Sequence, residues 1–149
     1  MDIWDEKTAD ALCARIDLLT PDAQPLWGKM NVAQMLGHCC IPYVQALGSG
    51  TARAPIYLRV IMLLFYKRRM TNDVPYKQGL LTVRAMIMPP DSMFEPNRER
   101  LKELIHQFSA KGRLFFEGRR HYGLGPLTSD EWNNMMYKHV DHHLRQFRV

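Results

Sequence analysis

Between Thr128 and Phe147 the chain carries its most restrictive feature, a helix whose start is written out residue by residue. Thr128-Ser129-Asp130-Glu131 is a capping box, in which the Thr128 side chain and Glu131 satisfy backbone donors reciprocally, and Leu127 with Trp132 supplies the hydrophobic staple. From there Trp132, Met135, Met136, His139, His143 and Phe147 fall on one stripe, with Asp130, Lys138, Asp141 and Arg145 away from it. A helix that is apolar on one side only must bury that side, so the rest of the chain has to fold around it.

Four further segments supply helical surface. Ala9, Leu12, Cys13, Ile16 and Leu19 recur at three-and-four spacing between Asp5 and Leu19, ended by Thr20-Pro21. Asn31 reads as an N-cap with Gln34 three residues on, and that helix runs to about Leu47, closed by Gly48-Ser49-Gly50. Pro55 opens a third helix, Ile56 to about Met70, whose Val60 to Phe65 run is apolar nearly all round. It is too short to span a bilayer and contains Arg59, so a buried helix is expected, with Lys67-Arg68-Arg69 as its solvated last turn. Pro96 opens a fourth helix with Leu101, Leu104, Ile105 and Phe108 on one face, ended by Lys111-Gly112.

Residues 71–95 hold Pro75, Gly79, Pro89 and Pro90 and form a long connection across the domain, with Leu80 to Met88 expected as one short strand or helical turn. The loop at 112–127 contains the Gly-rich run His121-Tyr122-Gly123-Leu124-Gly125-Pro126. Five helical segments and no alternating strands predict an all-α bundle. The length of 149 residues, at 46% hydrophobic and 23% charged, suits one domain over residues 1–149 and excludes disordered, collagen-like and repeat architectures.

Cys13, Cys39 and Cys40 are odd in number, without CxxC spacing, so neither a disulfide framework nor a zinc knuckle is expected and a reducing cytoplasm is the expected home. Met1 to Glu6 has neither the basic nor the apolar region of a signal peptide. The net charge of +5 rests on short clusters, Lys67-Arg68-Arg69 and Arg119-Arg120-His121, that lack the interleaved aromatics of a nucleic-acid module. Neither nucleic acid nor a membrane is therefore expected as partner, whereas the apolar third helix suits a homodimer.

Six histidines are the less ordinary count. His139 and His143 are separated by about 40° on their helix and project from its buried face one turn apart, close enough to close on one metal ion. Two neutral imidazoles on a Met-lined and aromatic-lined stripe need partners, and a metal satisfies both. His38, near the middle of the helix begun at Asn31, can supply a third ligand from a facing helix. Three histidines leave coordination positions open, which is the catalytic rather than the closed structural pattern. His142 lies about 100° from His143 and is a poorer ligand. Gln146, Trp27 and Asn134 are candidates to support the ligands, and His121 to meet a substrate. Pro42 follows His38 by four residues, so it cannot donate to the His38 carbonyl and is expected to kink the helix there, as a feature of the site or of packing alone. His106 is expected at the surface, and Cys39 as a small core residue rather than a nucleophile.

The run Trp27 to Cys39, with Gly125-Pro126-Leu127-Thr128-Ser129-Asp130-Glu131-Trp132 and Tyr137 to Phe147 far downstream, resembles the DinB-like (DinB/YfiT-type) metalloenzyme superfamily, in its uncharacterised branch, domain of unknown function 1569. The resemblance implies a four-helix bundle with a long crossover and an additional short N-terminal or connecting helix. It implies a metal site of one His from the second helix and an HxxxH pair from the last, here His38, His139 and His143. It also implies a divalent ion, zinc before nickel, iron or manganese, and chemistry such as thiol S-transfer or hydrolysis on a small molecule, with a low-molecular-weight thiol as cosubstrate. The chain departs from the superfamily in the loop His121 to Gly125, where relatives carry a Pro-aromatic-Gly step.

Two functions follow as expectations. One is a metal-dependent transferase or hydrolase, with no catalytic residue assigned beyond the ligands. The other is a non-catalytic bundle, a dimerising scaffold or ligand-binding module, favoured by the absence of any carboxylate on the His stripe to act as general base, unlike the Glu of HExxH enzymes.

Overall fold

The computed structural model describes residues 1–48, 54–80 and 86–149, and these are mostly helical. In α1 (Glu6–Asp17) the Asp5 side chain accepts from the Lys7 backbone N–H, and Ala9, Leu12, Cys13 and Ile16 are buried as their spacing requires. Asn31 and Gln34 form the reciprocal capping box that starts α2 (Val32–Leu47), which continues through Pro42.

A continuous arm follows, made of α3 (Ile56–Ile61), a π-helical turn (Met62–Tyr66) and α4 (Lys67–Thr71). The Lys67 backbone N–H reaches the Met62 carbonyl five residues back, which widens the arm at its middle. The single buried helix expected over Ile56 to Met70 is not what forms. Leu64 and Phe65 are each 72% exposed, and of the arm's buried or partly buried side chains only Met62 and Met70 join the core. The buried core is built by residues outside the arm, so this apolar segment finds cover on its inner edge alone.

Residues 71–80 and 86–93 carry the chain across the molecule, from Thr71, whose carbonyl accepts from Asn134, to Met88, whose carbonyl accepts from Gln34. The strand or turn expected at Leu80 to Met88 falls largely on 81–85, outside the described residues. α5 (Phe94–Phe116) begins ahead of Pro96 and its regular winding stops at Gly112, where φ is +73°, before one more turn. The loop expected after it contains a two-stranded antiparallel sheet, β1 (Arg120–His121) and β2 (Gly125–Pro126), with Arg120 opposite Pro126 and His121 opposite Gly125. The His121 ring closes this hairpin, its Nδ1 accepting from the Gly123 and Leu124 backbone N–H groups at 3.1 Å each. The hairpin also caps a neighbour: Arg119 donates to the Ala46 and Gly48 carbonyls at the end of α2.

α6 (Ser129–Gln146) starts at the predicted capping box of Thr128 and Glu131. It lies against α1, α2 and α5, and α5 lies against α1 and α2. Between them sit Leu12, Ile16, Met35, Leu36, Tyr43, Leu104, Phe108, Met136 and Leu144, all buried. Each large side chain taken from water this way contributes about 1.5–3 kcal/mol. Trp4 stacks on Phe108 and Phe116 at one end, and Arg15 bridges α1 to α6 through Asp141 at 2.8 Å. Among the described residues no helix is long and apolar enough to cross a membrane.

Candidate metal centre

The capping boxes fix where α2 and α6 begin, and with that the direction in which His38, His139 and His143 point. α6 brings His139 and His143 out on one side, with ring centroids 4.9 Å apart. The facing turn of α2 places the His38 ring 5.0 Å from His139 and 4.9 Å from His143. One ring nitrogen from each of the three lies within 4.8 Å of the others. His38 and His143 are buried and His139 is partly buried.

Burial holds all three imidazoles neutral. It lowers His38, against a hydrogen bond to the Met86 carbonyl that favours the charged form, and it pushes His143 down to about 3. His139 is driven well below the usual histidine range by burial first and then by the neighbouring imidazoles. A neutral imidazole offers one lone pair, and the partners of these rings decide which nitrogen carries it. His38 Nδ1 donates to the Met86 carbonyl at 2.9 Å, leaving Nε2 bare. His143 Nδ1 donates to Gln146 Oε1 at 2.8 Å, leaving its Nε2 bare. Gln146 is itself oriented, because its Nε2 donates to the Trp27 carbonyl.

His139 is the ring that the protein leaves unsatisfied. Its Nδ1 is buried without a partner, and its Nε2 lies 3.0 Å from His38 Nε2. If Nε2 carries the proton and donates to His38, Nδ1 is a bare buried acceptor. If Nδ1 carries it, two lone pairs face one another. Either arrangement costs on the order of 1–3 kcal/mol, and a cation between the rings accepts the facing lone pairs and removes their clash, with the His139 proton then on Nδ1. The donor set fits as well, since neutral imidazoles suit zinc, iron, nickel and copper.

A cleft of about 500 Å³, lined in part by Trp27, Tyr76, Asn134, Lys138, His142 and Arg145, lies on the far side of His142 from the cluster, and none of the three imidazoles lines it. His142 therefore belongs to the cleft wall rather than to the ligand cluster. Its ring lies 5.6 Å from Trp27, 5.8 Å from Tyr76 and 5.3 Å from His143. Asn134 also lines the cleft and fastens Thr71 through its amide. His121 is remote from the cluster along α6, its ring against Trp132, seven residues before His139.

A family model described as "Protein of unknown function (DUF1569)" matches residues 5–149. The chain belongs to this family. No curated protein and no solved structure matches it.

In this DUF1569 protein two features of the centre escaped the sequence reading. The Met86 carbonyl that orients His38 leaves no mark in the sequence, because any residue has a carbonyl. Lys138 lies in a cage of oxygens, the Arg69 and Asn72 carbonyls and Asn72 Oδ1 at 2.7–2.9 Å, which pins the end of α4 to α6 beside the cleft. The cysteines behave as core residues: burial raises Cys13 and Cys40 to about 11 and Cys39 well above its usual range. His106, 47% exposed at its side chain, meets Cys13 at 3.4 Å at the surface.

Proposed function

We propose that this protein is a divalent-metal protein of the DinB-like superfamily, a single four-helix domain with a long crossover, in which His38, His139 and His143 hold the ion. The observation that carries the reading is the pair of outward hydrogen bonds, His38 to the Met86 carbonyl and His143 to Gln146, which turn two bare nitrogens toward the otherwise unsatisfied His139. Zinc is the first candidate, with nickel, iron and manganese after it. Bound there, the ion supplies Lewis-acid activation of water or a thiol for hydrolysis or S-transfer on a small molecule. The chain's own contribution is three neutral imidazoles, His38 and His143 with their tautomers fixed by outward hydrogen bonds, and a neighbouring cleft walled by Trp27, Tyr76 and His142 large enough for a small substrate or a low-molecular-weight thiol.

A second reading, a metal-holding bundle without catalysis, is favoured by Asp141. This carboxylate of α6 lines the cleft but pairs with Arg15 and Arg145 at 2.8 Å each, so both its oxygens are engaged by guanidinium groups rather than free to act as a base.

Elemental analysis of protein purified without an affinity tag tests the shared premise. One ion per chain, lost in His139→Ala and in His143→Ala, is expected, together with a melting temperature that falls on chelation. Equal metal content in the wild type and both variants would remove the site. Turnover of thiol or ester probes by metal-loaded protein then separates the two readings.

A further inference from the structure

The outer side of the arm is apolar and uncovered. Ile56, Tyr57, Leu64 and Phe65 are 68–72% exposed, and Val60, Ile61, Leu63 and Tyr66 are 41–49% exposed. Together they present on the order of 800 Å² of side-chain surface, beyond the roughly 300–600 Å² of the largest patch on a typical monomer. The arm is fastened along its inner side and at its ends. The Ala54 N–H donates to the Tyr122 carbonyl, Met62 sits against Gly123, Lys67 pairs with Glu131 at 3.2 Å, and Lys138 grips the Arg69 and Asn72 carbonyls. The apolar face is thus held outward by the fold.

Charge decides what covers it. From Ala23 to Asn72 there is no Asp or Glu, while Lys29, Arg53, Arg59, Lys67, Arg68 and Arg69 are all basic. The remaining chain has fourteen basic residues against fifteen acidic, so the whole positive excess of the protein resides in this stretch. A second copy would bring Arg59, Arg68 and Arg69 of its own arm to the contact, whereas an anionic surface complements them. Arg68 and Arg69 are exposed at the end of the apolar face, and Tyr57 and Tyr66 have the amphipathic rings that settle at a headgroup layer. Lys67-Arg68-Arg69 is too short a cluster to suggest a membrane by itself, and the exposed apolar face beside it supplies what the cluster lacks.

We propose that the arm, Ile56 to Thr71, docks the protein peripherally on an anionic phospholipid surface, its apolar side chains entering the interface and Arg68 and Arg69 meeting headgroup phosphates.

Sedimentation of the full chain with vesicles tests this. Binding is expected to vesicles of phosphatidylcholine containing about one-third phosphatidylglycerol, and to weaken steeply as salt rises from about 0.1 to 0.5 M. Phosphatidylcholine vesicles alone should retain little. Arg68→Gln with Arg69→Gln should lower the partition about thirtyfold, and Leu64→Ser with Phe65→Ser at least about tenfold. These positions are exposed, so circular dichroism and melting temperature should stay at the wild-type values. Absence of vesicle binding, or equal binding to both vesicle types, overturns the proposal. So does a dimer in sedimentation equilibrium that Leu64→Ser with Phe65→Ser dissolves while vesicles are ignored, which would give the face to a second copy. Retention on duplex RNA that the same pair leaves intact, without vesicle binding, would give the basic stretch to a polyanion instead.

Discussion

Gln146 stands behind His143, its Oε1 accepting the imidazole Nδ1–H at 2.8 Å while its Nε2 is anchored on the Trp27 carbonyl. One amide thereby fixes the tautomer of a ligand on α6 and ties it to the loop that leads into α2. Gln146→Leu fills the same space without either bond. Metal affinity should fall about 10–100-fold, read by competition with a chromophoric chelator, and the fold should persist with a loss of about 1–3 kcal/mol from the unpaired Trp27 carbonyl.

Gly28 admits that arrangement. Its φ is +84°, and a Cβ added there would lie 2.8 Å from Gln146 Nε2. Gly28→Ala should cost about 1–2 kcal/mol in backbone strain and also displace the amide. Denaturant unfolding measures the first effect. Weaker metal retention measures the second, and a glycine that served only the turn would leave retention unchanged.

Lys138 is held by three oxygens of the α4 end and lies 4.5 Å over the Tyr76 ring. Lys138→Met keeps the stem but leaves those oxygens without their cation, so a loss of about 2–3 kcal/mol is expected. Because the same cage pins the end of the arm, hydrogen exchange should accelerate at Met70 to Asn72 before it does in α6.

The hairpin carries a pH dependence of its own. Burial holds His121 down to about 4, and its Nδ1 can accept from Gly123 and Leu124 only while neutral. Protonation therefore opposes folding. The contribution of His121 is complete above about pH 6.5 and is lost as pH falls toward 4, by at most about 3 kcal/mol. His121→Asn keeps an acceptor and does not titrate. The stability difference between wild type and this variant should shrink or change sign over that window, and a difference independent of pH would contradict the assignment.

What the sequence determined by itself is local. The capping boxes at Asn31 and Thr128, the apolar spacing of α1, α5 and α6, and the stop at Gly112 are each written within a few residues, because helix termini and faces depend on neighbours along the chain. The His139 and His143 pair was legible for the same reason. That His38 faces them required α2 and α6 to cross at one particular height, and only packing sets that. The orientation of His38 by the Met86 carbonyl, 48 residues away, was hidden because a backbone acceptor has no residue identity. The arm shows the converse. Its apolar run was plain in the sequence and pointed to burial, yet whether an apolar helix is covered depends on the room left in the core, and the tertiary structure leaves Leu64 and Phe65 in the open.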